Sequence, residues 1–135
     1  MFEVRVEAEF EAGHRRGPQG EDLPLHHHQW QVAVRVRSED LDHIGIVVDF
    51  RVLRSVLDEV LAALDQRVLE DVDGFADMAS TAPAVARWIF ENLGERLGHV
   101  TGGEGGTEAD GAHEFWLDAV EVEADPGTRF EYRPG

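Results

Sequence analysis

The chain has 135 residues, a formal net charge of −16 and no cysteine. Domains most often hold about 100–150 residues, so we expect one domain over residues 1–135. The lack of cysteine excludes disulfides, thiolate metal sites and a cysteine nucleophile. The acidic charge argues against nucleic acid and against an anionic membrane surface, because both attract clustered Lys and Arg.

The location of the protein is also constrained by its apolar segments. No apolar run approaches the roughly 20 residues that a membrane helix needs. The first residues, Met-Phe-Glu-Val-Arg-Val-Glu, lack the basic start and apolar stretch of a signal peptide. We therefore expect a cytoplasmic protein that has neither a membrane nor nucleic acid among its partners.

Two alternating segments open the chain. From Phe2 to Ala12 the even positions are apolar and every odd position is charged, which is the period of a half-buried strand. A second alternating run places Trp30, Val34 and Val36 on one side. Because a loop of about a dozen residues separates them, we expect the two strands to pair antiparallel.

The period then changes to that of a helix. Asp49 is a suitable N-cap, and apolar residues repeat at helical spacing over 50–64. Ser80 or Thr81 can cap a second helix, which we expect to end near Gly98.

The last third of the chain predicts two further strands. The glycine-rich residues 98–112 are typical of a connection, and a strand is predicted over about 113–124. Its apolar residues change parity between Leu117 and Val120, which indicates a bulge. A short strand around 130–132 follows. The order ββααββ predicts an α+β fold, a four-stranded antiparallel sheet with both helices on one face.

Three histidines share one face of the predicted hairpin. His14 continues the even face of the first strand, and His26 and His28 begin the even face of the second. Antiparallel pairing brings the end of the first strand beside the start of the second, so the three imidazoles should meet. Three neutral imidazoles with an open fourth position suit a catalytic zinc. The alternative is a polar strand end with solvated histidines.

Four segments carry a resemblance to the 6-pyruvoyl- and 6-carboxy-tetrahydropterin synthase family. Residues 10–14 (Phe-Glu-Ala-Gly-His) resemble its Phe-x-Ala-Ala-His, and residues 25–28 (Leu-His-His-His) resemble its Leu-His-Gly-His. Residues 46–50 (Ile-Val-Val-Asp-Phe) are similar to its Met-Val-x-Asp-Phe, and residues 64–69 to its Leu-Asp-His-x-x-Leu. The resemblance implies the T-fold, zinc on the three histidines, a small-molecule substrate, and homo-oligomers (trimer or hexamer) with sites at subunit interfaces.

The chain departs from the family pattern at the positions that carry its chemistry. The cysteine that lies four residues before the first histidine of His-x-His is Asp22 here, and the Asp-His pair is Asp65-Gln66. The glutamate of the Pro-Thr-x-Glu motif is lost in residues 80–83. The substrate-anchoring glutamate falls on Ala124, and a bulge would be needed to bring the neighbouring Glu123 to that face.

Each departure has a chemical meaning. Glutamine cannot titrate, so Gln66 cannot replace an acid or base, and Asp22 or Asp65 becomes the candidate for moving a proton. Glu123 is the candidate for substrate binding. The chain thus retains the metal ligands that the resemblance implies, but it lacks the family's pterin-anchoring glutamates and its proton-transferring cysteine and histidine.

Three functions stay open at this point. The first is a zinc-dependent lyase or cyclase with a substrate altered from the usual pterin, which would suit a specialised biosynthetic pathway. The second is an orthodox 6-carboxy- or 6-pyruvoyl-tetrahydropterin synthase. The third is a non-catalytic binding protein stabilised by zinc.

Overall fold

Seven helices and strands build the fold in a computed structural model of the chain, which describes residues 1–17, 21–75, 80–102 and 114–135, with the backbone alone over 98–102. In chain order they are β1 (Phe2–Arg16), β2 (Asp22–Ser38), α1 (Phe50–Ala62), β3 (Arg67–Val68), α2 (Ala82–Gly102), β4 (Trp116–Glu123) and β5 (Arg129–Tyr132). A single 3-10 turn, Leu69–Asp71, follows β3. Within the described residues, neither helix has the length and apolar character needed to cross a membrane.

The sheet has five strands in the order β3-β1-β2-β4-β5. The α+β class is confirmed, but the prediction of four antiparallel strands was wrong in detail, because β3 pairs with β1 in parallel. Gln66 has a positive φ of 62°, and its N–H donates to the carbonyl of Glu11 at 2.7 Å. This turn lays Arg67 and Val68 against the edge of β1. A two-residue strand has no alternation from which it could be predicted.

The hairpin of β1 and β2 is longer than predicted. The strands run to Arg16 and from Asp22, so residues 17–21 replace the expected loop of about a dozen residues. The predicted bulge in β4 is confirmed. Arg35 pairs with Ala119 while Val36 pairs with Leu117, which leaves Asp118 as the extra residue.

The two helices begin near the predicted positions, and one of them ends later. Asp49 caps α1, since its Oδ1 accepts a hydrogen bond from the N–H of Arg51 at 2.9 Å. The predicted end of α2 at Gly98 was wrong, because the helix continues to Gly102. A glycine costs a helix interior only about 1 kcal/mol relative to alanine, so it need not end one. The remainder of the glycine-rich segment, 103–112, lies outside the described residues.

The core lies between the helices and the even face of the sheet. Phe10, Trp30 and Val34 of the hairpin are buried with Leu57 of α1 and Ile89 of α2. The opposite face of the sheet carries the charged odd-numbered residues. This division between the two faces directs the three histidines to the helix side, because they continue the even face at the end of the hairpin.

Candidate metal centre

The register of the hairpin brings the three histidines together as predicted. His14 pairs directly with His26, and Ala12 pairs with His28. Side chains of residues two apart in a strand share a face, so all three imidazoles point to the helix side of the sheet. The antiparallel pairing that was inferred from alternation thus sets the positions of the rings.

The three rings form a compact cluster. Ring centroids are 4.4 Å apart for His14 and His26, 4.8 Å for His26 and His28, and 5.1 Å for His14 and His28. One ligand nitrogen from each lies within 4.8 Å of the others. Trp30 closes the inner side, with its centroid 5.1 Å from that of His14. Among the described residues this is the group of three able to hold a metal ion.

Hydrogen bonds orient two of the rings toward a common point. The Nδ1 of His14 is 2.7 Å from the carbonyl oxygen of Ser80, and the Nδ1 of His26 is 3.0 Å from that of Pro24. A carbonyl only accepts, so each Nδ1 carries the proton and each Nε2 keeps its lone pair. The Nε2 of His14 is buried and has no hydrogen-bond partner within the described part of the chain. A buried acceptor of this kind needs a partner, and a metal ion supplies one.

Burial favours the neutral form of two of the imidazoles. Burial lowers the pKa of His14 below its ordinary 6.5, against the opposing effect of its hydrogen bond to Ser80. Burial also lowers the pKa of His28, against the attraction of Asp125. Neutral imidazole is the form that binds a metal. The donors therefore fit a zinc ion in type and number, and burial of His14 and His28 favours the form that binds it.

A cavity of about 430 Å³ opens beside the cluster. Its wall is largely apolar, with a few polar groups, a combination typical of small-molecule sites. It is lined by His14, Arg16, Gly17, Leu23, His26, His28, Thr81, Ala82, Pro83, Ala124, Asp125, Thr128 and Phe130. The strand ends, the start of α2 and the turn after β4 thus meet around the three imidazoles.

A family model described as 6-pyruvoyl tetrahydropterin synthase matches residues 3–134. The chain belongs to this family. The fold agrees with solved structures that share little sequence identity with it. The Caenorhabditis elegans 6-pyruvoyl tetrahydropterin synthase has a TM-score of 0.77 at 23% identity, over 99% of this chain and 96% of that one. The Plasmodium vivax 6-pyruvoyltetrahydropterin synthase has a TM-score of 0.71 at 17% identity, over 99% and 98%.

A third match is an uncharacterized protein from Wolinella succinogenes. It has a TM-score of 0.70 at 19% identity, over 99% of this chain and 98% of that one. At such identities the three structures support a shared fold. The resemblance read from the four sequence segments is therefore confirmed at the level of family and architecture.

One exchange across the hairpin separates this chain from the family motifs. Gly13 and His27 stand where the motifs have alanine and glycine, and the register pairs these two residues directly. A Cβ added to Gly13 would lie 2.9 Å from Cε1 of His27, so the larger residue has moved from one strand to the other. His27 is exposed, and the described metal-binding group does not include it.

The two predicted acid–base residues lie apart from the cavity wall of their own chain. Asp22 is 88% exposed at its side chain and forms an ion pair with Arg16, which does line the cavity. Asp65 accepts a hydrogen bond from the N–H of Glu11 at 3.0 Å, at the outer edge of β1. Asp65 therefore holds the chain that leads into β3.

The predicted substrate-binding Glu123 lies on the other face of the sheet from the histidines. It pairs with Gln31 and lines a separate cavity of about 230 Å³, where its carboxylate accepts from Arg129 at 3.0 Å. These contacts hold the pKa of Glu123 below its usual range, with the hydrogen bond from Arg129 as the main cause. The bulge at Asp118 lies before Val120 and Val122, so it leaves the orientation of Glu123 unchanged.

Sequence reasoning missed two charged residues of the cavity. Asp125 places Oδ1 4.0 Å from Nδ1 of His28, and Arg16 lies at the end of β1. Asp125 follows the last residues of β4, where alternation no longer constrains direction. Its position directly after Ala124 was the available signal.

Proposed function

We propose that this family member is a zinc-dependent lyase or cyclase that acts on a small molecule other than the usual pterin. His14, His26 and His28 would hold the zinc. The observation that carries the proposal is that the buried Nε2 of His14 has no hydrogen-bond partner among the described residues. This nitrogen belongs to a cluster of imidazoles that opens into a cavity. Zinc held by three imidazoles keeps a fourth position for an oxygen ligand and polarises that ligand.

The protein's own contribution is orientation and exclusion of water. The carbonyls of Ser80 and Pro24 fix the tautomers of His14 and His26, and Trp30 shields the ring of His14 from one side. The cavity wall would hold the substrate body against this fixed donor set. Rigid placement of reacting groups is a large part of what a site contributes to a rate.

The altered substrate is supported by the wall beside the histidines. Ala124 stands where the resemblance places an anchoring glutamate, and Ala82 and Pro83 stand in the segment that lost a second one. The guanidine-like edge of a pterin would leave donors unmatched there, at about 1–3 kcal/mol for each buried group. An apolar substrate body would meet no such cost.

A carboxylate can act as a general acid or base, and we keep Asp22 and Asp65 as the candidates for proton transfer. Neither lines the cavity of its own chain, so a site shared between subunits would be needed to use them. A homo-oligomer, a trimer or hexamer, would supply that arrangement. The family also offers a parallel, since a glutamate is described as a catalytic residue of the Plasmodium vivax synthase. A sedimentation profile of 15-kDa monomers would contradict the shared site.

One observation favours a second function, that of an orthodox 6-pyruvoyl- or 6-carboxy-tetrahydropterin synthase. Asp125 presents a carboxylate at the cavity and could accept from a guanidine-like edge in place of the lost glutamate. Glu123 would serve only if the substrate reached the opposite face. A zinc-stabilised binding protein without activity is the remaining possibility, and a cytoplasmic location fits all three.

Turnover of 7,8-dihydroneopterin triphosphate by zinc-loaded protein separates the orthodox synthase from the other two functions, with the zinc content measured in the same sample. We expect full metallation and no conversion. Conversion that is lost in Asp125→Asn would establish the orthodox synthase instead. Full activity on any substrate after complete removal of the metal would contradict zinc dependence.

A further inference from the structure

Glu70 connects the strand that carries His14 to the segment that orients its ring. It lies in the 3-10 turn after β3, a part of the molecule that contributes nothing to the cavity wall among the described residues. One oxygen, Oε2, accepts from the N–H of Arg15 at 3.0 Å and from the hydroxyl of Ser80. Glu70 therefore holds the backbone next to His14 and, separately, the residue whose carbonyl binds His14.

Ser80 makes two contacts that together connect Glu70 to His14. Its side chain is fully buried and donates to Glu70, while its carbonyl accepts from the Nδ1 of His14. A displaced carbonyl would leave the Nδ1–H of a buried ring without an acceptor. The ring would then turn or change tautomer, and Nε2 would lose its direction.

The remaining oxygen of Glu70 strengthens the argument. Oε1 is buried and has no hydrogen-bond partner within the described residues. Glu70 lies beside the end of β1, where its carboxylate is half-buried. A half-buried carboxylate is costly unless its contacts serve the structure or the site. The two hydrogen bonds that it accepts from other residues, Arg15 and Ser80, both lead to His14.

We infer that Glu70 is a positioning residue for the metal site, acting on His14 through Ser80 and through the backbone of Arg15. This inference rests on the proposed zinc site. Partners of metal-bound histidines typically change metal affinity by about 10–100-fold when they are removed, and we expect Glu70 to fall in that range.

The test is the zinc dissociation constant, measured by chelator competition, in a set of variants. Glu70→Ala should weaken binding about 10–100-fold. Glu70→Gln keeps an acceptor oxygen and should recover most of that loss. Ser80→Ala should weaken binding less, and the double variant should lose less than the product of the two, since both break one contact. Glu91→Ala, which removes an exposed carboxylate on α2, is the matched control and should bind as the parent does.

A second readout uses no metal. The imidazole ¹⁵N shifts of His14 in the zinc-free protein should show the Nδ1–H tautomer in the parent and in Glu70→Gln, and a tautomer mixture in Glu70→Ala. Unchanged zinc affinity in Glu70→Ala, or an equal loss in Glu91→Ala, would overturn the inference.

The two proposals can fail separately. If Glu70→Ala does not fold, Ser80→Ala decides, and parental affinity with an unchanged His14 spectrum in that variant would overturn the role of Glu70. If the parent itself binds no zinc, the proposed function fails, while the tautomer measurement still tests whether Glu70 orients His14.

Discussion

The two faces of the sheet treat polar side chains in opposite ways. On the helix side, His14 is 5% exposed and its Nε2 has no hydrogen-bond partner in the described part of the chain. On the outer side, charged residues are arranged in pairs and networks, such as Arg35 with Glu121 and Glu131. Paired charges near solvent contribute to solubility and little to stability. The Nε of Arg35 also lacks a hydrogen bond, but it lies 3.8 Å from a carboxylate oxygen of Glu121. The lone pair of a buried imidazole nitrogen with no partner among the described residues is suited to binding a metal ion.

This difference distinguishes polar groups that already have partners from polar groups that remain available to a ligand, and it requires no comparison with a related protein. The cavity with Glu123 is lined by charges that already satisfy one another, including Arg5 and Arg129. The cavity with His14 combines apolar walls with ligand atoms that point inward. We therefore propose that the chemistry lies on the helix side. Four predictions test that assignment, in order of decreasing effect.

Removal of a histidine on the helix side should have the largest effect. His14→Ala should weaken zinc binding by more than the roughly 10–100-fold typical of a residue that only supports a ligand. Zinc content after dialysis against a weak chelator measures this. His27→Ala is the matched control, since His27 points away from the cluster and should keep parental zinc content. Equal zinc loss in both variants would place the metal elsewhere.

Removal of the ring of Trp30, which closes the inner side of the histidine cluster, should destabilise the fold. Trp30 is fully buried, stacks on Phe10 and donates from Nε1 to the carbonyl of Ala12 at 3.1 Å. Trp30→Ala should lower the free energy of unfolding by about 3–5 kcal/mol, measured by urea denaturation of the zinc-free protein. Trp116→Ala, at a residue 39% exposed, should cost clearly less. Similar losses in the two variants would contradict the complete burial of Trp30.

Acid should weaken both the metal site and the zinc-free fold. The pKa values of His14 and His28 are lowered by burial, so the folded protein binds fewer protons than the unfolded chain. The stability of the zinc-free protein should therefore be constant above the unfolded value of about 6.5 and fall as the pH drops below it. Urea unfolding at about pH 8 and at about pH 5, above and below that value, measures this change in stability. His14→Gln should flatten the slope, and an unchanged slope would contradict the burial of a neutral imidazole.

A change on the outer face should have the smallest effect. Glu7, whose side chain is 67% exposed, forms an ion pair with Arg5 on this face. Glu7→Gln should change the free energy of unfolding by no more than about 1 kcal/mol and leave zinc affinity unchanged. A large loss of zinc affinity in this variant would break the distinction between the faces.

The sequence predicted the parts of the site that follow from alternation. The parity of His14, His26 and His28 was enough to place three rings on one face, because strand pairing preserves parity. The same rule correctly warned that Glu123 and Ala124 face opposite ways. Asp49 was recognised as a cap because its role depends on neighbours only two residues away.

The parts that alternation could not reach depend on contacts between distant segments. Ser80 meets His14 across 66 positions, and Glu70 meets Arg15 across 55. Neither pair leaves a local pattern. The short β3 follows from a single left-handed residue, Gln66, and Asp125 lies in a turn where period-two reasoning ends.

X-ray absorption at the zinc edge of the metal-loaded protein tests the central claim most directly. We predict one zinc for each chain, with three imidazole nitrogens at about 2.0–2.1 Å and one light oxygen ligand. Two or fewer imidazoles, or coordination dominated by carboxylates, would contradict the assignment of His14, His26 and His28 as the ligands of a single zinc ion.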